Sequence, residues 1–304
     1  MDKTLLLIGG SNIDYIATSK DKLIKKVSNI GTVSISFGGV MRNIAENLAR
    51  LGNKIDFLTA IGDDANGKAM RDDLESLGIN VISPKSIYPS GSYVAINDSN
   101  HDMVEGICDN RIIKDINIDF INKNDQLISS HEYIIMDSNL DETTIDYLFE
   151  KYKDKKFIVE AISPTKVLKY KKHLGKLFLI KCNIHEARML MGIDLTEKDL
   201  VGGLLARGVK NVVVSHGSHD IFFGHDVRKI DLVKVEELIH SNYIKLRNKG
   251  YSQADIIKAL LNTKVFNIIN IVSGTTSKLD ENITSNTITD YDKFIEIVSN
   301  FSDD

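Results

Sequence analysis

Short apolar runs alternate with longer amphipathic stretches along this chain. Leu5 to Ile8, Ile55 to Ala60, Tyr133 to Met136, Phe157 to Glu160, Leu177 to Ile180 and Val212 to Ser215 read as strands, while the stretch through Asn43, Gly67 to Leu77 and Thr143 to Tyr152 carry helical spacing. The alternation predicts βαβ units, hence an α/β fold with a mostly parallel sheet and helices on both faces. Ligands in such folds sit at the carboxyl ends of the strands. Two segments break the rhythm. Residues 14–37 hold the alternating Thr32-Val33-Ser34-Ile35-Ser36. Residues 91–108 hold Ser92-Tyr93-Val94-Ala95-Ile96, a turn at Asn97-Asp98-Ser99-Asn100, then Met103-Val104-Glu105-Gly106-Ile107, a hairpin by pattern. Together they predict a small β-sheet projecting from the main domain, with an ordinary surface hairpin as the plainer alternative. Val94, Ile96 and Met103 either cover a ligand or pack that sheet on the domain.

Composition narrows the setting. An apolar fraction of 42% over 304 residues supports a real core. The formal charge of -4 gives no reason to expect nucleic acid or an anionic membrane as partner. Cys108 and Cys182 are too few for a disulfide framework, and no apolar run approaches the roughly 20 residues of a membrane span. The chain starts directly in its first strand, so no signal peptide is expected and a cytoplasmic location is the simple expectation.

Candidate chemistry gathers first at Gly38-Gly39-Val40-Met41-Arg42-Asn43. Paired glycines let the backbone turn with positive φ and approach a ligand, and the following helix offers unpaired N–H groups beside Asn43. Taken alone, the pair serves equally as a tight strand-to-helix connection. After the first strand comes Gly9-Gly10-Ser11-Asn12-Ile13-Asp14, which lacks the GxGxxG spacing of a dinucleotide loop. Asp14 is a natural acceptor for paired ribose hydroxyls, or else caps a turn.

The stretch from Gly38 through Leu51-Gly52, followed by Ile55 to Ile61 and Gly62-Asp63, resembles the ribokinase-like sugar kinase family of PfkB type. Within it the wording Gly-Gly-Val-x-Arg-Asn-Ile-Ala-Glu-Asn-Leu-Ala-Arg-Leu-Gly is most similar to pseudouridine kinases. The resemblance covers about Thr4 to Gly217. It implies a three-layer α/β/α domain spanning 1–304, with a β lid formed by about 14–37 and 91–108 that in many relatives also makes a homodimer contact. It assigns Asn12, Asp14, Gly38, Gly39 and Asn43 to the sugar. Asp137-Ser138-Asn139 and Glu160-Ala161-Ile162-Ser163 look like family segments at strand ends, with Glu160 where relatives commonly have Asp, and Lys166 follows near phosphate or simply in solvent. Asn183 and Glu186 match the family's Asn-x-x-Glu, implying ATP and an indirectly held Mg²⁺ near Glu186. Ser215 and Gly217 resemble its Thr-x-Gly nucleotide turn. His216 and His219 lack further ligands at metal-binding spacing.

The resemblance then fails where chemistry needs it. A family member presents Asp-Thr-x-Gly-Ala-Gly-Asp, whose glycines form an anion hole and whose last Asp takes the proton. Counting back from Asn248-Lys249-Gly250-Tyr251-Ser252 places Lys234 and Glu236 on the glycines and Glu237 on the catalytic Asp. Val235, Leu238, Ile239 and Leu246 also follow plain helical spacing. Phe266 to Val272 puts bulk where relatives have a small helix beside adenine. The expectation is an ATP-dependent kinase of a ribosyl hydroxyl, the 5′-hydroxyl of pseudouridine by resemblance, with activity weak or lost. The alternative is a non-catalytic nucleoside- or nucleotide-binding member acting as sensor or subunit.

Overall fold

The computed structural model describes residues 4–217 and 221–225. In chain order the strands are β1 (Leu5–Gly10), β2 (Asn12–Ser19), β3 (Gly31–Gly38), β4 (Ile55–Ala60), β5 (Asn80–Ile82), β6 (Gly91–Asn97), β7 (Met103–Asp109), β8 (Tyr133–Asp137), β9 (Lys156–Glu160), β10 (Leu177–Asn183), β11 (Asn211–Ser215) and β12 (Ile221–His225). The helices are α1 (Val40–Arg50), α2 (Ala65–Ser76), α3 (Ile118–Lys123), α4 (Asp125–Ser130), α5 (Glu142–Lys151), α6 (Ile184–Met191) and α7 (Glu197–Ala206), with 3-10 turns at Arg111–Asp115 and Lys166–Lys176.

Eight strands form the main sheet in the order β12-β11-β10-β9-β8-β1-β4-β5. All neighbours run parallel except β12, which returns antiparallel on β11. Side-chain alternation divides the core. Leu6, Ile8, Leu58, Ile134, Met136, Val159, Ile180 and Val212 enter one buried cluster with Phe149, Tyr152 and Tyr170. Their neighbours Leu7, Phe57, Ile135, Ile158, Leu179 and Val213 are equally buried and point to the opposite face. The helix α1 supplies Met41, Ile44, Ala45 and Leu48, one stripe at helical spacing.

The chain runs outward from β1 to β4 and β5, then crosses back to β8 and continues the other way. Strand order therefore reverses between β1 and β8, and a crevice opens beyond their carboxyl ends. Above it stands a second sheet in the order β3-β2-β6-β7. The expected small sheet is thus present, its hairpin closed by the Asp98 N–H donating to the Asp102 carbonyl at 2.9 Å. Unforeseen elements are β5 with three residues, α3 and α4 with six each, α7 with ten, β12 with five and the 3-10 segment Lys166–Lys176 with eleven. The segments 231–243 and 266–272, with Glu237, lie outside the described residues.

Candidate active site

The crevice is built from backbone first. Gly10 donates its N–H to Asp137 Oδ2 at 3.2 Å, and Asn139 donates its own to Oδ1 at 2.8 Å. A Cβ on Gly9 would sit 2.7 Å from Asp137 Oδ2, so the end of β1 stays bare to let β8 close against it. Burial pushes the Asp137 carboxyl up to about 6, against the pull of those N–H groups and Lys166. The 3-10 segment clamps this strand end from behind. Tyr170 Oη donates to the Asp137 carbonyl at 2.7 Å, and Lys169 Nζ reaches the Ser138 and Leu140 carbonyls.

Asn12, Asp14, Gly38, Gly39 and Asn43 converge beside it. Asn12 Nδ2 donates to Asp14 Oδ1, and a Cβ on Gly38 would collide with that carboxylate. Gly39 caps α1 with φ 98, where any side chain would be strained and would press within 2.8 Å of the Gly10 carbonyl. The paired glycines are therefore required twice over, by conformation and by space. Burial raises the Asp14 pKa, while Asn12 and the nearby Arg42 charge act the other way. Arg42, 2% exposed, braces the group: it donates to Glu46, to Asp73 Oδ2 at 2.5 Å and to Asn43 Oδ1 at 3.3 Å, and lies over the Phe37 ring. Burial opposes ionisation of Glu46, but Arg42 and Arg50 outweigh it and hold its pKa low.

Register decides which part of the small sheet faces this group. Asp14 pairs with Tyr93 and Ser36, and Tyr93 with Cys108, so these four share one face. Tyr15 pairs with Val94, and Ala17 with Ile96, so Val94 and Ile96 point the other way. The two readings of Val94 and Ile96, covering a ligand or packing the sheet on the domain, are both corrected: they are exposed and lie with exposed Val33, Ile35 and Ile107 on the far face. Met103 does approach the Asp14 face, accepting from Tyr93 Oη at 3.0 Å. The sheet is latched to the domain through Asp64, which caps α2 at Gly67 and accepts from the Ser90 N–H at 2.7 Å. Ser90 Oγ in turn accepts from Gly62 N–H at 3.0 Å.

Across the crevice, Asn183 and Glu186 form a reciprocal cap on α6. Asn183 Oδ1 accepts from the Glu186 N–H at 3.0 Å, and Glu186 Oε2 from the Asn183 N–H at 2.7 Å. Next to them Lys181 Nζ donates to Glu160 Oε1 at 2.7 Å, both side chains buried. Burial raises the Glu160 carboxyl despite Lys181, and the Glu186 and Asp137 charges push the same way. Ser215 ends β11 and Gly217 lies in the turn after it, and between them His216 Nδ1 meets Glu197 Oε1 at 2.6 Å. Among the described residues no three side chains are grouped to hold a metal ion by themselves.

The sequence profile of the pfkB family of carbohydrate kinases matches residues 2–242. The chain belongs to that family. It is a sugar or nucleoside kinase by descent and has the ribokinase-like fold. Pseudouridine kinase of Escherichia coli (strain K12) is 29% identical over 226 residues, 72% of each chain. The carbohydrate kinase from Agrobacterium tumefaciens shares the fold with a TM-score of 0.68 at 21% identity, over 95% of this chain and 96% of that one. The Arabidopsis thaliana ribokinase complexed with ribose and ATP gives 0.61 at 15% identity, covering 90% and 99%.

Arg42 and Asn139 stood in the motifs read from the sequence without a role of their own, and Asn110 was not singled out. The place of Arg42 between Gly39 and Asn43 was its signal. Asn139 donates and accepts at the mouth, taking Lys166 Nζ on its oxygen at 2.7 Å, and its place after a strand end was the available signal. Asn110, at the end of β7, carries no local signal at all and enters only through the fold.

Proposed function

We propose that this pfkB kinase binds a ribosyl nucleoside in the β1–β2–α1 corner, pseudouridine foremost, and that its phosphoryl transfer from ATP is slow or lost. The carrying observation is the Asp14 carboxylate, held by Asn12 against Gly38 beside the strained Gly39 turn. An ionised carboxylate at a bare backbone corner is suited to accept two neighbouring sugar hydroxyls. The likeness to a pseudouridine kinase supports the choice of nucleoside.

The reaction of the family proposed here joins the 5′-oxygen to the γ-phosphorus, breaks the bond to the bridging oxygen and releases ADP. A carboxylate takes the hydroxyl proton, and Glu237 stands at that place in the gap-free count. One extra methylene displaces it by about 1 Å, which can cost about 100-fold. In the same count Lys234 and Glu236 take the places of the two glycines, where side chains would obstruct close backbone approach to phosphate and Glu236 would add negative charge.

The described residues fit a hydrated Mg²⁺ with a nucleotide. Glu186 uses one oxygen in its own cap, and the buried Glu160 Oε2 has no hydrogen-bond partner, leaving acceptor capacity beside Lys181. Mg²⁺ keeps much of its water and needs one or two carboxylates together with phosphate. When bound, it would neutralise charge on the phosphates, while Lys181 and Glu160 set the local charge balance.

Calorimetric titration with pseudouridine and with Mg-ATP, together with a transfer assay on the same sample, tests the proposal. The expected result is nucleoside binding with turnover absent or at least about 100-fold below that of a pfkB kinase with an intact motif. Absence of nucleoside binding would overturn the sugar half; rapid turnover would overturn the lost chemistry.

A further inference from the structure

Asn110 sits where β7 ends and the 3-10 turn Arg111–Asp115 begins. Its neighbours fix its direction. Asp109 and Arg111 pair outward at 2.7 Å, with the guanidinium over the Tyr88 ring. Ile112 and Ile113 plunge into the core. The Asn110 carboxamide is left between two glycines at the crevice. A Cβ on Gly91 would lie 3.1 Å from Asn110 Oδ1, and one on Gly10 would lie 3.8 Å from Nδ2. Gly91 thereby makes room for this amide, and Gly10 lies within ordinary contact of it.

The amide oxygen is buried and has no hydrogen-bond partner. At the same mouth, the Asn139 oxygen accepts from Lys166 and the Asn43 oxygen from Arg42. Native proteins leave few buried acceptors unmatched, because each costs about 1–3 kcal/mol. Such an acceptor at a binding site is matched when a ligand brings a donor.

Position says which donor. Asn110 lies level with the Asn12–Gly91 rung of the small sheet, whereas Asp14 lies level with Tyr93. Asn110 stands two residues along and two strands across from Asp14, about 7 Å by about 10 Å, so the two backbone positions are about 12 Å apart. Less the reach of the two side chains, that separation exceeds the distance between adjacent hydroxyls of one sugar and falls within the length of a nucleoside. If Asp14 holds the sugar, Asn110 meets the base.

We infer that Asn110 reads the base, its Oδ1 accepting the N1–H of a C-linked nucleoside, two ring bonds from the glycosidic carbon. Pseudouridine carries that N–H. Uridine, joined to the sugar through N1, presents C5–H at that position and offers no N–H. This inference rests on nucleoside binding as proposed above and assigns the selectivity of that same site.

The test is calorimetric titration of the full chain with pseudouridine, 1-methylpseudouridine, uridine and ribose, repeated with Asn110→Leu and Asn110→Asp. The wild type should prefer pseudouridine over both uridine and 1-methylpseudouridine by about 10- to 100-fold. Asn110→Leu should erase the preference by weakening pseudouridine alone, and Asn110→Asp, which keeps an acceptor, should retain it. A preference that survives Asn110→Leu overturns the inference. So does an equal loss for every ligand including ribose, which would assign the acceptor to a sugar hydroxyl. The methylated ligand needs no variant, so the comparison stands even if Asn110→Leu does not fold. Wild-type protein that binds nucleosides without preference overturns this inference alone, whereas no nucleoside binding overturns the proposed function and this inference with it.

Discussion

The two sides of the crevice are built differently. On the side proposed for the sugar, polar groups are aimed by bare backbone: Gly9, Gly38 and Gly39 each leave a space that a neighbouring group fills, and Arg42 ties the result to two helices. On the side proposed for the nucleotide, Asn183 and Glu186 are occupied chiefly with each other, and Lys181 with Glu160. Glycines placed against functional groups are costly for a chain to keep without use, because they forgo side-chain packing and raise unfolded-state entropy. A capping box contributes to stability whether or not a nucleotide ever binds. The first side therefore speaks for a retained ligand more strongly than the second speaks for retained chemistry.

The largest expected effect attacks this contrast directly. Replacing Lys234→Gly, Glu236→Gly and Glu237→Asp together should raise phosphoryl transfer by at least about 100-fold, measured with saturating pseudouridine and Mg-ATP. No gain with binding intact would move the defect to the adenine side or to a different register around residues 231–243.

A second effect appears in stability. The Asp137 carboxyl is raised to about 6 from 3.8 by burial. Between those values the unfolded chain has released its proton while the folded chain keeps it, so stability falls as pH rises through the window. The full loss is about 3 kcal/mol, at about 1.4 kcal/mol per unit. Asp137→Asn should flatten the dependence of melting temperature on pH between about 4 and 6, and an unchanged slope would remove Asp137 as its source.

Next in size, Asp14→Asn should weaken nucleoside binding by about 10- to 100-fold, the value of charged hydrogen bonds, with little change in melting temperature. Equal loss of stability would make Asp14 a structural brace instead. The smallest effect is on the other side. Asn183→Ala should cost about 1 kcal/mol of stability through loss of the α6 cap while leaving nucleoside affinity unchanged. Calorimetry and thermal melts separate the two outcomes.

Much of this arrangement was legible in the residues. Continuous apolar runs such as Leu5 to Ile8 read as strands buried on both faces, as they are, and Gly38-Gly39 before a helix marked a tight turn into α1. The small sheet was legible as alternation at residues 32–36 and 92–96, but alternation names two faces without saying which one looks inward. Only the pairing of Asp14 with Tyr93 settles that, and it sends Val94 and Ile96 outward. The turns and short helices between Arg111 and Ser130 escaped because six-residue helices show too little periodicity to separate from loop. Asn110 escaped for a different reason: its partners Gly10 and Gly91 are remote in sequence, and its importance lies in what it lacks.

The closure of Gly9 and Gly10 on Asp137 has a practical side. The strand that leads into the proposed ligand corner is also an interior strand of the eight-stranded sheet, with β4 on one flank and β8 on the other. A molecule gripped there is gripped by the part of the protein that must come apart on unfolding. Any true ligand should thus raise the melting temperature, with a stabilisation of about 3 kcal/mol at one hundred times its dissociation constant. A library of nucleosides and sugars can accordingly be sorted by heat alone, without ATP and without turnover.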